Sequence, residues 1–272
     1  MNRAPATAKL NLALVVGAAR PDGKHEVATV LQRLALCDRV RIEPADRLSV
    51  RGFAEDTLVG DALRALAAVA GIAPRWEATI AKKLPVAAGL GGGSSDAATA
   101  LRLANETLPD PLPPERLHAL AAALGADVPF FLAQGPQLGT GDGSDLSPLE
   151  LPQDYWVVLL LPEAAEKSST RAVYDAFDAR GGDEGYTERR AALLAALAGA
   201  RRARDLSALP RNDLAASPLA AELEELGAFR ADVTGAGPVV YGLFLHRDAA
   251  AAARRALRRR GRTWLTAPAW YG

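Results

Sequence analysis

The segment that most constrains the fold of this chain is a run of glycines and serines, Gly89-Leu90-Gly91-Gly92-Gly93-Ser94-Ser95. Leu84-Pro85 precedes the run, and an Ala-rich stretch with helical character follows it to about Asn105. Glycines let a backbone adopt positive φ and approach a ligand closely. The first turn of the following helix presents unpaired N–H groups and the positive end of the helix dipole. The pattern therefore predicts an anion site suited to phosphate groups.

Two familiar phosphate-binding loops do not fit this segment. A Walker loop ends in Gly-Lys-Ser/Thr, and no Lys follows these glycines. The dinucleotide fingerprint requires a third glycine where Ser94 stands. A flexible Gly/Ser linker is the remaining alternative, and the regular structure predicted on both sides disfavours it. Ser94 and Ser95 are expected to cap the helix, and one of them is suited to contact a phosphate or its Mg²⁺.

Composition bounds the class of protein. The chain has 272 residues, of which 49% are hydrophobic and 24% charged, so one large or two ordinary domains can bury a sizeable core. Lys plus Arg equals Asp plus Glu, at 32 each, which favours neither a nucleic-acid nor a membrane partner. The single cysteine, Cys37, excludes an intrachain disulfide. The N-terminus resembles a strand more than a signal peptide. Together with the single cysteine, this predicts a cytoplasmic location. The oligomeric state is left open between monomer and homodimer.

The basic residues are biased toward arginine. Five of the 32 are lysines, and a lysine kept in such a chain can mark a place where a compact ammonium is needed. The five are Lys9, Lys24, Lys82, Lys83 and Lys167. The arginines between 254 and 262 are interpreted as a solvated helix face, because the chain has no net charge.

Strand-like and helical segments are mixed along the chain without a regular βαβ alternation, which favours an α+β fold. The predicted strands are 10–17, 27–35, 39–43, 48–51, 76–80, 156–161, 230–234, 239–245 and 263–266. The predicted helices are 57–71, the stretch after the glycines to 105, 114–125, 169–178, 187–198, 218–227 and 248–260. The stretch 136–153 is rich in Gly, Asp, Ser and Pro and predicts a boundary near residue 150. The expected domains are therefore 1–150 and 151–272.

The glycine segment and four others together resemble the GHMP kinases. Leu84–Ala98 is similar to the family's phosphate loop, and its triple glycine is typical of the branch acting on a cytidine-diphosphate-linked methylerythritol. The other similar segments are Ala4-Pro5-Ala6-Thr7-Ala8-Lys9-Leu10-Asn11-Leu12, Arg20-Pro21-Asp22-Gly23-Lys24-His25-Glu26, Gly125-Ala126-Asp127-Val128-Pro129-Phe130-Phe131 and Thr234-Gly235-Ala236-Gly237-Pro238. The resemblance implies a two-lobed α+β fold, with a ribosomal-protein-S5-like N-terminal lobe and a ferredoxin-like C-terminal lobe.

The resemblance also implies a reaction. The γ-phosphoryl group of ATP would pass to the 2-hydroxyl of the cytidine-linked methylerythritol, a step of the non-mevalonate route to isoprenoid precursors, with ATP as co-substrate and Mg²⁺. One alternative is another GHMP kinase, of the homoserine or mevalonate type. The triple glycine and the segment around His25 argue against it. The other alternative is a non-catalytic nucleotide-binding relative, since fold alone does not fix function.

The same resemblance implies roles for individual residues. Asp127 matches the family's catalytic base and Lys9 its cationic partner, which would hold the base ionised and offset developing charge. Asn11, His25 and Tyr174 match substrate-binding residues, and a neutral imidazole that both donates and accepts suits a nucleobase. The residues assigned to ATP are Pro85, Val86, Ala87, Ala88, Gly89, Leu90, Gly91, Gly92, Gly93, Ser94 and Ser95. No residue is assigned to the metal.

Three positions depart from the family pattern. Lys24 stands where a Tyr is expected beside His25, Ala236 replaces a Ser or Thr, and Thr57 replaces an Asn. None of these departures touches Lys9 or Asp127. The sequence therefore predicts a working enzyme with altered affinities.

Overall fold

The computed structural model describes residues 2–53, 57–163 and 169–269. Its strands are β1 (Asn2–Ala19), β2 (His25–Pro44), β3 (Ser49–Arg51), β4 (Trp76–Ala81), β5 (Gln137–Thr140), β6 (Asp145–Pro148), β7 (Trp156–Pro162), β8 (Arg230–Val233), β9 (Val240–Phe244) and β10 (Gly261–Thr266). Its α-helices are α1 (Thr57–Ala70), α2 (Gly92–Asn105), α3 (Pro114–Leu124), α4 (Thr170–Ala179), α5 (Tyr186–Gly199), α6 (Pro218–Glu225) and α7 (Arg247–Ala256). Short 3₁₀ turns lie at Pro129–Phe131, Ala203–Ala208 and Leu257–Arg259.

Two stretches differ from the sequence-based expectation. The strands predicted at 27–35 and 39–43 are the two halves of one strand, β2. Each half pairs with a different neighbouring strand. Thr29–Leu31 pairs with β5, and Arg39–Pro44 pairs with β4, both antiparallel. The stretch 136–153, for which no strand was predicted, contains the β5–β6 hairpin. Its glycine-rich tip accommodates positive φ at Gly141 and Gly143, and the boundary expected near residue 150 stays a prediction.

Contacts between residues divide the chain into two compact units that are discontinuous in sequence. The first comprises 1–8, 36–86 and 91–134. In it, β3 pairs parallel with β4, and β4 pairs antiparallel with the second half of β2. Helices α1 and α2 pack against each other and also against α3. The apolar stripe predicted for α1 is buried at Leu63 and Leu66, so the helix forms because that face has a core to cover.

The second unit comprises 9–35, 87–90 and 135–272. Its main sheet has the antiparallel order β10-β7-β9-β8, and helices α6 and α7 pack on it. Val158, Val240, Phe244 and Leu223 are fully buried in the core between this sheet and these helices. The lobes predicted at 1–150 and 151–272 stay a prediction, because these contact-defined units do not follow the chain contiguously. Among the helices of the described residues, none combines the length and the apolar character needed to cross a membrane.

Candidate active site

The glycine-rich loop is shaped by residues with left-handed backbone conformations. Gly89 and Gly91 have φ values of 77° and 68°, and Ala87 shares this region with a φ of 52°. A Cβ built on Gly89 would lie 2.5 Å from the carbonyl oxygen of Thr234 and 3.1 Å from that of Gly237. Only glycine fits position 89, because both the backbone conformation and this close approach exclude a side chain.

Helix α2 begins directly after the loop with an open first turn. Its N-cap is Gly91, and no side chain caps it. The expectation that Ser94 and Ser95 cap the helix is therefore wrong, because the helix begins at Gly92 and both serines lie inside it. The hydroxyl of Ser95 is buried and has no hydrogen-bond partner among the described residues. A Cβ on Gly93 would meet no atom of the described residues within 4 Å beyond its chain neighbours and the backbone of its own helix. This turn offers free N–H groups, an orphaned hydroxyl and open space to an anion.

Lys82 links the chain just before the loop to the helix just after it. Its Nζ lies 2.8 Å from Oδ2 of Asp38 and 2.6 Å from Oδ2 of Asp96, and both carboxylates are fully buried. Asp38 Oδ1 also accepts the backbone N–H of Leu84 at 2.7 Å. Burial acts to lower the pKa of Lys82, but its bonds to the two carboxylates outweigh that and raise the pKa. The ammonium therefore stays charged at neutral pH and holds both ends of the loop.

Lys9 belongs to a buried hydrogen-bond network on β1. Its Nζ donates to Oδ1 of Asn11 at 2.8 Å, and Nδ2 of Asn11 donates to the hydroxyl of Thr29 at 2.8 Å. The backbone N–H of Asn11 donates to the hydroxyl of Thr234 at 3.1 Å. The backbone N–H of Lys9 donates to the carbonyl of Leu90 at 2.9 Å. The network thus joins β1 to the glycine loop and to the turn that begins at Thr234.

His25 is held between aromatic side chains at the start of β2. Its Nε2 lies 2.7 Å from Oδ1 of Asp178, and its ring lies on that of Tyr174 with centroids 4.6 Å apart. Phe177 meets the same imidazole edge-on at 6.1 Å. All three partners lie on helix α4, so one helix fixes the orientation of the ring.

Asp127 occupies a turn between α3 and the 3₁₀ turn at Pro129–Phe131. Helix α3 ends at Leu124 with Gly125 as its C-cap, and the N–H of Val128 donates to the carbonyl of Gly125 at 3.0 Å. Asp127 is the third residue of this turn, and its side chain is half-buried.

The three departures from the family pattern are placed differently. Lys24 forms an ion pair with Asp142 at the tip of the β5–β6 hairpin. Burial acts to raise the pKa of Asp142, but hydrogen bonds from Lys24 and Ser144 outweigh it and lower the pKa to about 2. Ala236 lies in the turn between Gly235 and Gly237, which have φ values of 58° and 80°. The side chain of Thr57 is outside the described part of the chain.

Comparison with known proteins decides the family. The GHMP kinases N terminal domain matches residues 57–135, and the GHMP kinases C terminal domain matches residues 189–263. The 4-diphosphocytidyl-2-C-methyl-D-erythritol kinase of Solidesulfovibrio magneticus is 39% identical, covering 90% of this chain and 89% of that protein. The kinase of the same name from Geobacter sulfurreducens is 36% identical over 96% of each chain. The chain belongs to the 4-diphosphocytidyl-2-C-methyl-D-erythritol kinase family.

Solved structures agree with this family. A crystal structure of a 4-(cytidine 5'-diphospho)-2C-methyl-D-erythritol kinase superimposes with a TM-score of 0.79 at 31% identity, covering 98% of this chain and all of that one. A homoserine kinase and a mevalonate kinase superimpose with TM-scores of 0.68 and 0.75 but are 16% and 11% identical, so they share the fold alone. The predicted α+β GHMP kinase fold is confirmed, and the identities separate this chain from the alternative branches.

Within this 4-diphosphocytidyl-2-C-methyl-D-erythritol kinase family member, the structure brings together some of the predicted site residues. Lys9 is bonded to Asn11, and His25 is stacked on Tyr174. Asp127 and helix α2 belong to the first of the two compact units.

Sequence reasoning missed several polar residues that hold this site. Asp178 could have been found, because it lies four residues after Tyr174 on a predicted helix and therefore on the same face. Asn212 had no comparable signal. Its Nδ2 donates to the carbonyls of Val233 and Gly235, at 2.9 and 2.7 Å, and so holds the last glycine turn from a distant loop.

Proposed function

We propose that this chain transfers the γ-phosphoryl group of ATP to the 2-hydroxyl of 4-diphosphocytidyl-2-C-methyl-D-erythritol, in the non-mevalonate route to isoprenoid precursors. The observation that carries the proposal is the 36–39% identity, over nearly the whole chain, to kinases named for this substrate. ATP is the co-substrate of GHMP kinases, and the loop before helix α2 has the chemistry to bind its phosphates.

The nucleotide is assigned to residues 85–95. The N–H groups of the first turn of α2 would bind phosphate oxygens, and the hydroxyl of Ser95 supplies a further donor that lacks a partner among the described residues. Val86 leaves 54% of its surface exposed at the start of the loop, which suits the apolar face of a base. Glycine at 91–93 lets the phosphates approach the backbone closely.

The chemistry is an in-line displacement. We assign Asp127 as the base that takes the proton of the 2-hydroxyl, whose oxygen then forms a bond to the γ-phosphorus while the bond to the β,γ-bridging oxygen breaks. ADP leaves with that oxygen. Lys9 is assigned to offset the negative charge that develops on the transferring group. Removing charge from the base or misplacing the ammonium would slow this step without weakening the hold on ATP.

Mg²⁺ is proposed to enter with the nucleotide. Mg²⁺ usually keeps several waters and is bound through substrate phosphates and few side chains, and among the described residues no group of three or more His, Cys, Asp or Glu side chains could hold a metal ion. The donor set near the loop fits such a shared metal, with the hydroxyl of Ser95 as one ligand. When bound, the ion neutralises charge on the β- and γ-phosphates.

The cytidine end of the substrate is assigned to His25 and Tyr174. The imidazole, whose Nε2 is bonded to Asp178, would meet a base edge with its other ring nitrogen, and the aromatic side chain next to it offers a stacking surface. Asn11 stays a predicted substrate residue. A cytoplasmic location and a monomeric or homodimeric state also stay predictions.

The decisive experiment offers purified protein ATP with three acceptors in parallel: the cytidine-linked methylerythritol, homoserine and mevalonate. ADP release is followed by a coupled assay, and the product is identified by ³¹P NMR. A phosphomonoester formed only on the cytidine substrate is the expected result. Phosphorylation of homoserine or mevalonate would place the chain in another GHMP branch. ATP binding without turnover on any acceptor would favour the non-catalytic relative.

A further inference from the structure

A chain of buried hydrogen bonds reaches the ammonium of Lys9. It begins at the hydroxyl of Thr29, which donates to the carbonyl of Ala13 at 2.8 Å. The same hydroxyl accepts from Nδ2 of Asn11 at 2.8 Å, and Oδ1 of Asn11 accepts from Nζ of Lys9 at 2.8 Å. Lys9, Asn11 and Thr29 are each at most 5% exposed. None of the family resemblances in the sequence assigns a role to Thr29.

The direction of each bond follows from the number of protons available. A threonine hydroxyl carries one proton, and here the carbonyl of Ala13 takes it. The oxygen of Thr29 therefore faces Asn11 as an acceptor, so the amide must turn its NH₂ group toward it. That orientation leaves Oδ1 of Asn11 facing Lys9, where an ammonium with three donors and no acceptor needs it. The hydroxyl of Thr234, 3.3 Å from the same Oδ1, supports the same orientation of the amide.

We infer that Thr29 is a positioning residue, and that it fixes the ammonium of Lys9 for phosphoryl transfer by setting the amide orientation of Asn11. The inference rests on the proposed function, in which Lys9 acts on the transferring group. It also gives Asn11 a second role, directed toward Lys9, beside the predicted contact with substrate. A lysine needs such support because its four-carbon stem is flexible and its charge is compact. A small misplacement of such a charge is costly to catalysis.

Thr29→Val tests the inference, because it removes the hydroxyl and keeps the shape. Without the acceptor, Nδ2 of Asn11 loses its partner, so the amide is fixed on one side only and the ammonium bonded to its Oδ1 is held less firmly. We expect kcat to fall about tenfold, the scale of one buried hydrogen bond, with the KM for ATP unchanged. Thr29→Ser should restore most of the rate because it returns the hydroxyl. The ¹⁵Nζ resonance of Lys9, one of only five lysine signals, should shift in Thr29→Val.

Thr7→Val is the matched control on the same sheet. Thr7 is 2% exposed, and its hydroxyl has no hydrogen-bond partner among the described residues. The same substitution there removes a buried hydroxyl without breaking a hydrogen bond. Its kcat and the Lys9 resonance should match those of the unmodified protein. This control separates loss of the hydrogen bond between Thr29 and Asn11 from a general effect of the substitution.

A double-variant cycle separates the inference from the function on which it rests. If Thr29 acts through Asn11, adding Thr29→Val to Asn11→Ala should slow the enzyme no further. Should Thr29→Val fail to fold, Asn11→Ala alone should shift the Lys9 resonance and lower kcat. Lys9→Ala with normal turnover would overturn the proposed role of Lys9. If Lys9→Ala is slow but Thr29→Val has a normal kcat and an unshifted Lys9 resonance, the positioning role of Thr29 is overturned and the proposed role of Lys9 stands.

Discussion

Gly93 is the sharpest point at which to test the phosphate site. It is the second residue of helix α2, and a Cβ there would meet nothing within 4 Å. Gly93→Ala therefore causes no clash within the described protein, and alanine is the better helix former by up to ~1 kcal/mol. The stability of the fold should stay level or rise slightly. The added methyl group occupies only the space in which the phosphates are proposed to approach the backbone.

The expected loss of affinity follows from the bonds that the methyl group would disturb. Each hydrogen bond between a backbone N–H and a charged phosphate contributes ~1.5–3 kcal/mol. Losing one of them raises the Kd for ATP by about 10- to 100-fold, since 1.4 kcal/mol corresponds to a factor of ten. Gly92 is a poorer probe, because its Cβ would lie 3.3 Å from Nζ of Lys82 and disturb the ion pairs that hold the loop.

Gly199→Ala provides the matched control. Gly199 is the last residue of helix α5, it is exposed, and a Cβ on it would also meet nothing within 4 Å. Calorimetric titration with ATP and thermal unfolding would be measured for both variants. The expected pattern is weaker ATP binding in Gly93→Ala alone, with neither variant losing stability. Unchanged ATP affinity in a folded Gly93→Ala would show that the first turn of α2 does not hold the phosphates.

The remaining predictions concern the base, the loop backbone and pH. Asp127→Asn should lower kcat by about 10²–10⁴ with little change in ATP affinity, and combining it with Lys9→Ala should slow turnover scarcely further if the two residues act on one step. Near-normal kcat in Asp127→Asn would reassign the base. Ala87→Gly should raise the thermal midpoint, because it relieves a φ of 52° that costs alanine ~1 kcal/mol. An unchanged or lower midpoint would show that position 87 stores no strain. The pKa of Asp142 is lowered from 3.8 to about 2, so its pairing with Lys24 stabilises the fold above pH 4 and is lost as the pH falls toward 2. Urea unfolding of Asp142→Asn should show a deficit of about 1 kcal/mol or less at pH 6, since Lys24 is half exposed, and almost none at pH 2.

The elements that the sequence predicts well are those with a strong local signal. Helix α1 was expected at 57–71 and is Thr57–Ala70, since its apolar stripe repeats with the helical period. The glycine run was expected to turn sharply before a helix, and the left-handed conformations of Gly89 and Gly91 agree. The residues that form each of these patterns lie close together in the chain, so the patterns can be recognised in a single sequence.

What the sequence could not supply is the choice of distant partners. Asp38 binds an ammonium 44 positions away along the chain, and Thr234 contacts an asparagine on the first strand. Periodicity reports which face of an element is buried but not what covers it. The β5–β6 hairpin was missed for a related reason, because the glycines that shape its tip have the same composition as a linker.

The ion pairs of Lys82 have a consequence for how the glycine loop can change. Asp38 and Asp96 hold the two ends of the glycine loop through Lys82. The entropy cost of closing the loop is therefore part of folding and does not oppose ligand binding. The other residues between these anchors can therefore be exchanged without refolding the helix behind them, provided that glycine stays at positions 89, 91 and 92. Substitutions in such a segment can change the nucleotide preference while the ion pairs of Lys82 and helix α2 keep their structure.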